Sequence, residues 1–469
     1  MTGTVVVVGA GMGGLTAALR LARAGVAVRV LEARAEPGGL ASGFVADGVA
    51  FDAGPYILLD RPGLEWAFRA VGLELADQVE LRRIEEVYEV AGVDGPRIAF
   101  HADLGRTAEA FEAQWPGSGA RYEAYVGVAG RIYRRLEPLL HRWRPGAVDV
   151  LRTGAWRHLR FLLSSLGAVL ARTGLPPPLV DAIAIWTHVA RQQIDEAPSP
   201  MAFVPALIHG VGAFYPRGGI AAVPRALARA AEAVGVELRR GARVRRIRVR
   251  DGRAIGAELD SGELVAADAV VSDYNAVGTY LDLVPEMPSS MRRELRGLPL
   301  QSPGVCAYLA VRGTPRPPFL RFRLPGGGEP CRLLITPGVM DPTSARDGWW
   351  PARLLSPMDH AEAERAGAAG QRAYLERALG EPWWREHVAE FRVLATRIPA
   401  EWGAEYHLHR DSMNPVMTAR FMRAGRIAHR SPWVRGLYLA GSATHPGQWV
   451  SFCAISGILA ADRVREDFG

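Results

Sequence analysis

The residues of this chain best suited to chemistry stand near its start. Gly9-Ala10-Gly11-Met12-Gly13-Gly14 could hold a phosphate chain, and Glu32, 23 positions after Gly9, could hold the adjoining sugar. Gly9 can turn sharply, Gly11 lets backbone amides approach a pyrophosphate, and Gly14 permits close packing of a helix on its strand. The Glu32 carboxylate can accept hydrogen bonds from ribose hydroxyls, and it would repel a 2'-phosphate, which disfavours NADP.

The elements that must position these groups are legible on either side. Val5-Val6-Val7-Val8 reads as a fully buried parallel strand, Leu15 to Ala24 as an amphipathic helix whose N-terminus faces the phosphates, and Ala27 to Leu31 as a second strand ending at Glu32. Strand, tight turn, helix and strand make a Rossmann-type β-α-β unit, which a lone glycine fingerprint would not establish.

The continuation Glu32-Ala33-Arg34-Ala35-Glu36-Pro37-Gly38-Gly39-Leu40-Ala41 separates FAD from NAD. With its acid, its arginine and its Gly-Gly pair, it resembles the flavoprotein superfamily of amine oxidases and carotenoid desaturases. Gly38 and Gly39 permit a second close backbone approach to the pyrophosphate. Phe51-Asp52-Ala53-Gly54-Pro55-Tyr56 is similar to the phytoene desaturase form of this family, whose loop lies beside the flavin ring.

Two further blocks extend the resemblance over most of the chain. Gly212-Ala213-Phe214-Tyr215-Pro216-Arg217-Gly218-Gly219 precedes a helix expected from about Ala221 to Val234, then strands at Val236 to Leu238 and Ala242 to Ile247. Strands at Ala254 to Leu259 and Ala267 to Val271 read as a return to the nucleotide sheet. The resemblance implies that backbone near Val244 holds the adenine. The last block, Gly436 to Gly447 with Gly441 and Ser442 at its turn, leads into a helix expected from about Val450 to Val464. The resemblance implies that this helix N-terminus lies under the flavin and ribityl chain.

Some residues depart from the family pattern. After His445-Pro446-Gly447 the chain has Gln448-Trp449-Val450-Ser451-Phe452-Cys453 where small residues and a proline are usual, so bulky groups are expected to line or narrow the cavity at the flavin. The stretch from Tyr406 to Met422 lacks the usual glycines. His407 and His409, with Glu405 or Asp411, could suggest a metal, but no second cluster at ligand spacing completes a set, and no metal is expected. Asp195 and Glu196 are the visible candidates for handling a proton, against a surface-loop reading, so the catalytic residues stay unassigned.

Composition bounds the rest. With 469 residues, 49% hydrophobic, the chain can bury several packed units, and three dispersed cysteines argue against a disulfide framework. The net charge of +7 invites a nucleic-acid reading, but all 56 basic residues are arginine, which suggests lineage bias; no nucleic acid is expected. Without lysine the chain cannot form a Schiff base, nor supply the lysine that many amine oxidases of the superfamily place near the flavin. Neither a signal peptide nor a spanning helix is expected. Arg131 to Arg172 holds nine arginines against two acids, interleaved with Leu139, Leu140, Trp143, Trp156, Phe161, Leu162 and Leu163. Such a segment can lie in an anionic membrane interface or pack as a basic helix on the core.

The expected architecture is α/β: a Rossmann-like FAD-binding domain of the GR2 type, a discontinuous mixed α+β substrate domain, and a helical, basic, membrane-facing insertion. FAD-binding parts are expected at 1–75, 212–285 and 431–469, a substrate and membrane-associating region at 76–211, and a substrate sheet with helices at 286–430. The resemblance implies a cytoplasmic, peripherally membrane-associated desaturase of a lipophilic polyene or isoprenoid, reoxidised by a quinone or oxygen. A polyene isomerase or saturase, and an amine-oxidase-like enzyme, are the alternatives.

Overall fold

A computed structural model describes residues 3–92, 95–143, 145–419 and 426–468. Arg144, and the part of the Tyr406 to Met422 stretch from 420 onward, lie outside the described residues.

Five parallel strands form the first sheet, in the order Leu437–Leu439, Ala269–Ser272, Thr4–Val8, Ala27–Leu31, Glu237–Arg239. Three distant stretches of chain thus supply one sheet. Val5, Val6 and Val7 are almost wholly buried because both faces of the strand are covered, one by the helix Met12–Ala22 and the other by the small sheet of Val244–Arg250, Arg253–Leu259 and Leu264–Ala266, which is why this strand reads as an unbroken apolar run. The helix Met12–Ala22 starts earlier than its apolar periodicity suggests, because the glycines themselves form its first turn.

Behind that turn the helix Met12–Ala22 packs against the C-terminal helix Val450–Phe468. A β-carbon at Gly457 would collide with the carbonyl of Gly13, so this pair of glycines sets how closely the two helices cross. Thr16 Oγ1 donates to the Ala454 carbonyl at 2.8 Å across the same crossing. The C-terminal helix runs four residues beyond its expected end at Val464.

One expectation for the nucleotide sheet needs correction. Ala269–Ser272 does pair with Thr4–Val8, but Arg253–Leu259 belongs to a separate antiparallel sheet with Val244–Arg250 and Leu264–Ala266. The turn at Asp251 and Gly252, both with positive φ, folds Arg253–Leu259 back on its neighbour, and that pairing takes up the strand's hydrogen bonds.

The second large sheet has seven strands, ordered Glu390–Arg397, Val305–Arg312, Trp349–Ser356, Arg332–Ile335, Leu320–Arg323, Glu86–Ala91, Arg97–His101. Its last two strands come from the segment before the middle nucleotide-binding block. They join through a parallel pairing of Leu320–Arg323 with Glu86–Ala91.

The basic stretch is not one helix. Ser118–Leu140 is long, and after it come the short helices Ala147–Thr153, Leu159–Leu162 and Leu166–Leu170. Its apolar residues divide: Leu139, Trp143, Phe161 and Leu162 pack against the core, while Trp156 and Leu163 are exposed.

Candidate active site and dinucleotide cleft

A continuous cavity of ≈ 1250 Å³ runs between the carboxyl edge of the parallel sheet and the inner face of the seven-stranded sheet. Its position follows the general rule that open α/β sheets bind ligands beyond the carboxyl ends of their strands. Gly9, Gly11, Glu32, Ala33, Arg34, Gly38, Gly39, Leu40, Ala41, Gly54, Pro55, Tyr56, Val244, Gly441, Ser442, Gln448, Trp449 and Val450 all line it. Gly13 and Gly14 do not. They face inward, Gly13 toward the C-terminal helix and Gly14 onto the Gly9 carbonyl, where a side chain would clash.

The glycines form a corridor without side chains. Gly38 lies at φ 119° and Gly39 at φ 53°, backbone that β-carbon-bearing residues seldom adopt, and a β-carbon on Gly39 would come within 3.4 Å of the Gly11 Cα. The two glycine turns therefore lie side by side with no side chain between them. This cradle, with Glu32 at one end, fits the adenosine diphosphate half of FAD.

Glu32 is held in place from both sides. Its Oε2 accepts from the Ala10 amide at 2.7 Å and its Oε1 from the Arg34 amide at 2.9 Å. Burial pushes its carboxyl above the usual range, while these two amides pull it back. Lone pairs remain on both oxygens for a ribose. Arg34 lies over the Tyr406 ring at 4.0 Å and donates to Ser42 Oγ at 3.0 Å and Glu405 Oε1 at 3.2 Å.

Glu405 thus serves as an anchor for Arg34 and also for Arg397, whose Nε lies 2.8 Å from Glu405 Oε2. His409 Nδ1 pairs with Asp282 at 2.8 Å. Among the described residues no three His, Cys, Asp or Glu side chains converge as a metal site would require. Asp195 and Glu196 are exposed and off the cavity wall.

The Asp52 to Tyr56 loop is clamped by a buried arginine. Arg353 Nη1 donates to the Ala53 and Gly54 carbonyls, both at 2.8 Å, and its guanidinium sits 5.7 Å from the Tyr56 ring. Tyr308 Oη donates to the Ala53 carbonyl at 3.0 Å. Asp52 accepts from Tyr215 Oη at 2.6 Å and the Ile220 amide at 2.7 Å, tying the first block to the middle one.

Several groups on the wall carry no local signal in the sequence. Asp273, directly after Ala269–Ser272, is half-buried on the cavity wall, and its carboxyl is pushed up to about 7, chiefly by desolvation and secondarily by Glu32, against amide bonds from Gly14 and Gly11. Its place at the carboxyl edge of a nucleotide-sheet strand is the one clue that could have found it. Asp60 accepts from Ser451 Oγ at 2.8 Å and Tyr133 Oη at 3.1 Å and caps the helix Arg61–Ala70. Glu137 stands near it, its carboxyl raised first by burial and then by Asp60. Arg426 also reaches the wall.

Away from the glycines the cavity becomes apolar, walled by Leu136, Leu162, Trp186, Phe203, Val204 and Leu207. Gln448 and Trp449 do line the cavity: Gln448 Oε1 accepts from Asn414 Nδ2 at 2.7 Å, and Trp449 stacks on Phe452 with ring centroids 4.9 Å apart.

Comparison with known proteins agrees with this geometry. The profile of the family described as flavin containing amine oxidoreductase matches residues 12–318. A zeta-carotene-forming phytoene desaturase of Myxococcus xanthus is 29% identical over 98% of this chain and 93% of its own. A phytoene dehydrogenase of Streptomyces griseus is 31% identical over 98% of this chain and 94% of its own. In fold, the chain is similar to an oxidoreductase from Methanosarcina mazei, with a TM-score of 0.67 at 19% identity, covering 99% of this chain and 100% of that one.

Proposed function

The chain belongs to the flavin containing amine oxidoreductase family and takes FAD as its cofactor, and we propose that it desaturates a carotenoid or related isoprenoid. The observation that carries this reading is the continuity of the cavity: a polar corridor shaped for a dinucleotide opens into an apolar chamber without a wall between them. A hydrocarbon chain offers an enzyme little besides area and shape, and the chamber supplies both. The names of the two carotenoid-processing relatives support the same substrate class.

The flavin, when bound, supplies the hydride acceptor. Gly9, Gly11, Gly38 and Gly39 are the residues proposed to admit its pyrophosphate, Glu32 its ribose, and the backbone at Val244 its adenine. Gly54 to Tyr56, held by Arg353, and Gly441, Ser442 and Gln448 to Val450 are proposed to line the ring and ribityl chain. The rigid clamp on Gly54 to Tyr56 keeps that part of the wall from drifting as substrate enters.

Loss of a hydride from one carbon leaves a proton to be removed from its neighbour. Glu137 is the group proposed to take it, at its side-chain oxygens, a reading supported by its position on the wall next to the apolar chamber and its 30% exposure, which would give the proton a way out to water. Asp60 is better shielded and fully hydrogen-bonded, and it acts by holding Tyr133 and Ser451 in place.

The substrate is proposed to arrive from a lipid surface. Half of the exposed large apolar side chains among the described residues fall in one short stretch: Val148, Leu151, Trp156, Leu159 and Leu163. Arg152, Arg157 and Arg160 interleave with them, and the neighbours Leu139, Leu140 and Leu162 line the cavity. An apolar patch rimmed by arginine beside a greasy opening suits docking on an anionic bilayer. Among the described residues no helix is long and apolar enough to cross a membrane. A quinone or oxygen is the proposed acceptor of the electrons.

The test is anaerobic. FAD-loaded protein is mixed with liposomes containing phytoene or partly desaturated polyenes, and flavin bleaching is followed together with new polyene absorbance. Bleaching coupled to a red-shifted polyene is expected. An oxidised flavin that ignores every polyene, while the reduced enzyme isomerises or saturates one, would replace this reading with the isomerase or saturase alternative.

A further inference from the structure

Arg426 is a half-buried cation with its Nη1 shut off from solvent, and it has no counter-ion among the described residues. Among the described residues no carboxylate lies within ion-pair distance of it, and its Nη1 has no hydrogen-bond partner. An unpaired buried guanidinium costs several kcal/mol unless something else neutralises it. Burial alone pushes its acidity to about 9, from a group that otherwise stays charged under all conditions.

Its surroundings say where that something lies. Arg426 lines the cavity beside Gly447, where a β-carbon would come within 3.1 Å of its Nη2. Gly447 leads into the helix Val450–Phe468, whose N-terminus opens on the same corner, so a helix end and a full positive charge converge there. On one side is Cys453, whose carbonyl would lie 3.2 Å from a β-carbon on Gly13 in the pyrophosphate turn. On the other is His445, whose Nε2 reaches the Leu139 carbonyl at 3.0 Å, at the apolar end. Arg426 also helps hold His445 neutral, after burial itself, by pushing its imidazole down to about 3. The arginine therefore stands at the junction between the dinucleotide corridor and the chamber, where the reacting ring of a bound flavin must meet its substrate.

We propose that Arg426, together with the N-terminus of the Val450–Phe468 helix, stabilises the negative charge that the N1–C2=O edge of the flavin acquires on reduction. The inference rests on the FAD reading above. It adds that this chain, which has no lysine, uses an arginine to set how strongly the cofactor draws a hydride. Charge near that edge is one of the protein's main means of tuning a flavin. A lipid carboxylate is the competing occupant of the same positive corner, and the experiment separates the two.

The experiment compares wild type with Arg426→Gln and Arg426→Lys as FAD-loaded proteins. Sulfite adds through its lone pair to N5 of oxidised flavin and leaves a negative charge at N1–C2=O, so its Kd reads the proposed interaction without turnover. For Arg426→Gln the sulfite Kd is expected to rise about tenfold, with a fall of about 30 mV in the two-electron reduction potential, the equivalent for such a couple. Arg426→Lys, which keeps the charge but loses the planar fork, is expected to lie between, with a rise of about threefold. If the Gln variant does not retain flavin, Arg426→Met, which also removes the charge, decides in its place, and an unchanged sulfite Kd there overturns the proposal. Unchanged sulfite affinity and potential in a flavin-loaded Gln variant likewise overturn it, and loss of oleate binding in the same protein would place the arginine on the substrate. Failure of wild type to take up FAD would instead sink the cofactor reading beneath it.

Discussion

The Asp273 carboxylate roofs Gly11: a β-carbon on Gly11 would fall inside van der Waals contact with Asp273 Oδ2. The aspartate is also held by the amides of Gly11 and Gly14, so it cannot swing aside freely. Gly11→Ala should therefore weaken FAD binding about tenfold or more and lower Tm. Gly11→Ala with Asp273→Ala should recover part of the loss, with a coupling of about 0.5–3 kcal/mol in a double-mutant cycle. Strict additivity in flavin titrations and melts would show that the two residues do not press on one another.

Asp273 also makes the flavin-free protein sensitive to pH. Its folded carboxyl is raised to about 7 from an ordinary value of 3.8. The folded state therefore binds more protons than the unfolded state between those values, and stability falls as pH rises through that window. Asp273→Asn should remove the dependence: relative to wild type it should gain stability from pH 4 to pH 7 and level off above, by at most about 4 kcal/mol. Parallel urea-stability curves for the two proteins across pH 4 to 8 would refute this.

Glu32→Gln keeps the shape of the side chain and removes its charge. The hydrogen bonds from Ala10 and Arg34 and the proposed pair to a ribose all weaken, since charge-assisted bonds are roughly twice as strong as neutral ones. A fall of about tenfold to a hundredfold in FAD affinity is expected by fluorescence titration, with little change in the fold.

Glu137→Gln should leave the flavin spectrum and FAD affinity intact while lowering the rate of flavin bleaching by polyene about a hundredfold or more. In wild type that rate should rise with pH as Glu137 ionises, with its midpoint above the usual carboxylate range because burial and Asp60 raise it. A Gln variant that bleaches at the wild-type rate would move the proton elsewhere.

Leu151→Asp with Leu159→Asp should release the protein from anionic liposomes. Both side chains are exposed, 65% and 49%, so Tm and flavin content should stay within the range of ordinary surface substitutions, about 0.5 kcal/mol. Unchanged cosedimentation with the liposomes would leave the patch without the role given to it.

Much of the fold could be read locally because its cues are local. The unbroken valine run marked a strand covered on both faces, and the order glycine turn, helix, strand, acid named the nucleotide unit. The strand of Arg253–Leu259 was misassigned because a buried strand looks the same in either sheet; only its pairing decides. The basic stretch gave its composition but not its breaks, since which leucines face the core depends on neighbours far away in the chain.

By itself the sequence determined the cofactor-binding half of this protein. Such a corridor is built from residues that must lack side chains at fixed spacing, and glycine is the one residue type that can satisfy that. Tertiary structure alone decided the rest of the site. Asp60, Glu137, Asp273 and Arg426 come from four separate segments, and apart from the place of Asp273 at the end of a nucleotide-sheet strand nothing near them in the sequence distinguishes them from ordinary surface charges. Their chemistry comes from burial, because removing water shifts a carboxyl upward and leaves a guanidinium in want of an anion. Burial is a property of the folded whole.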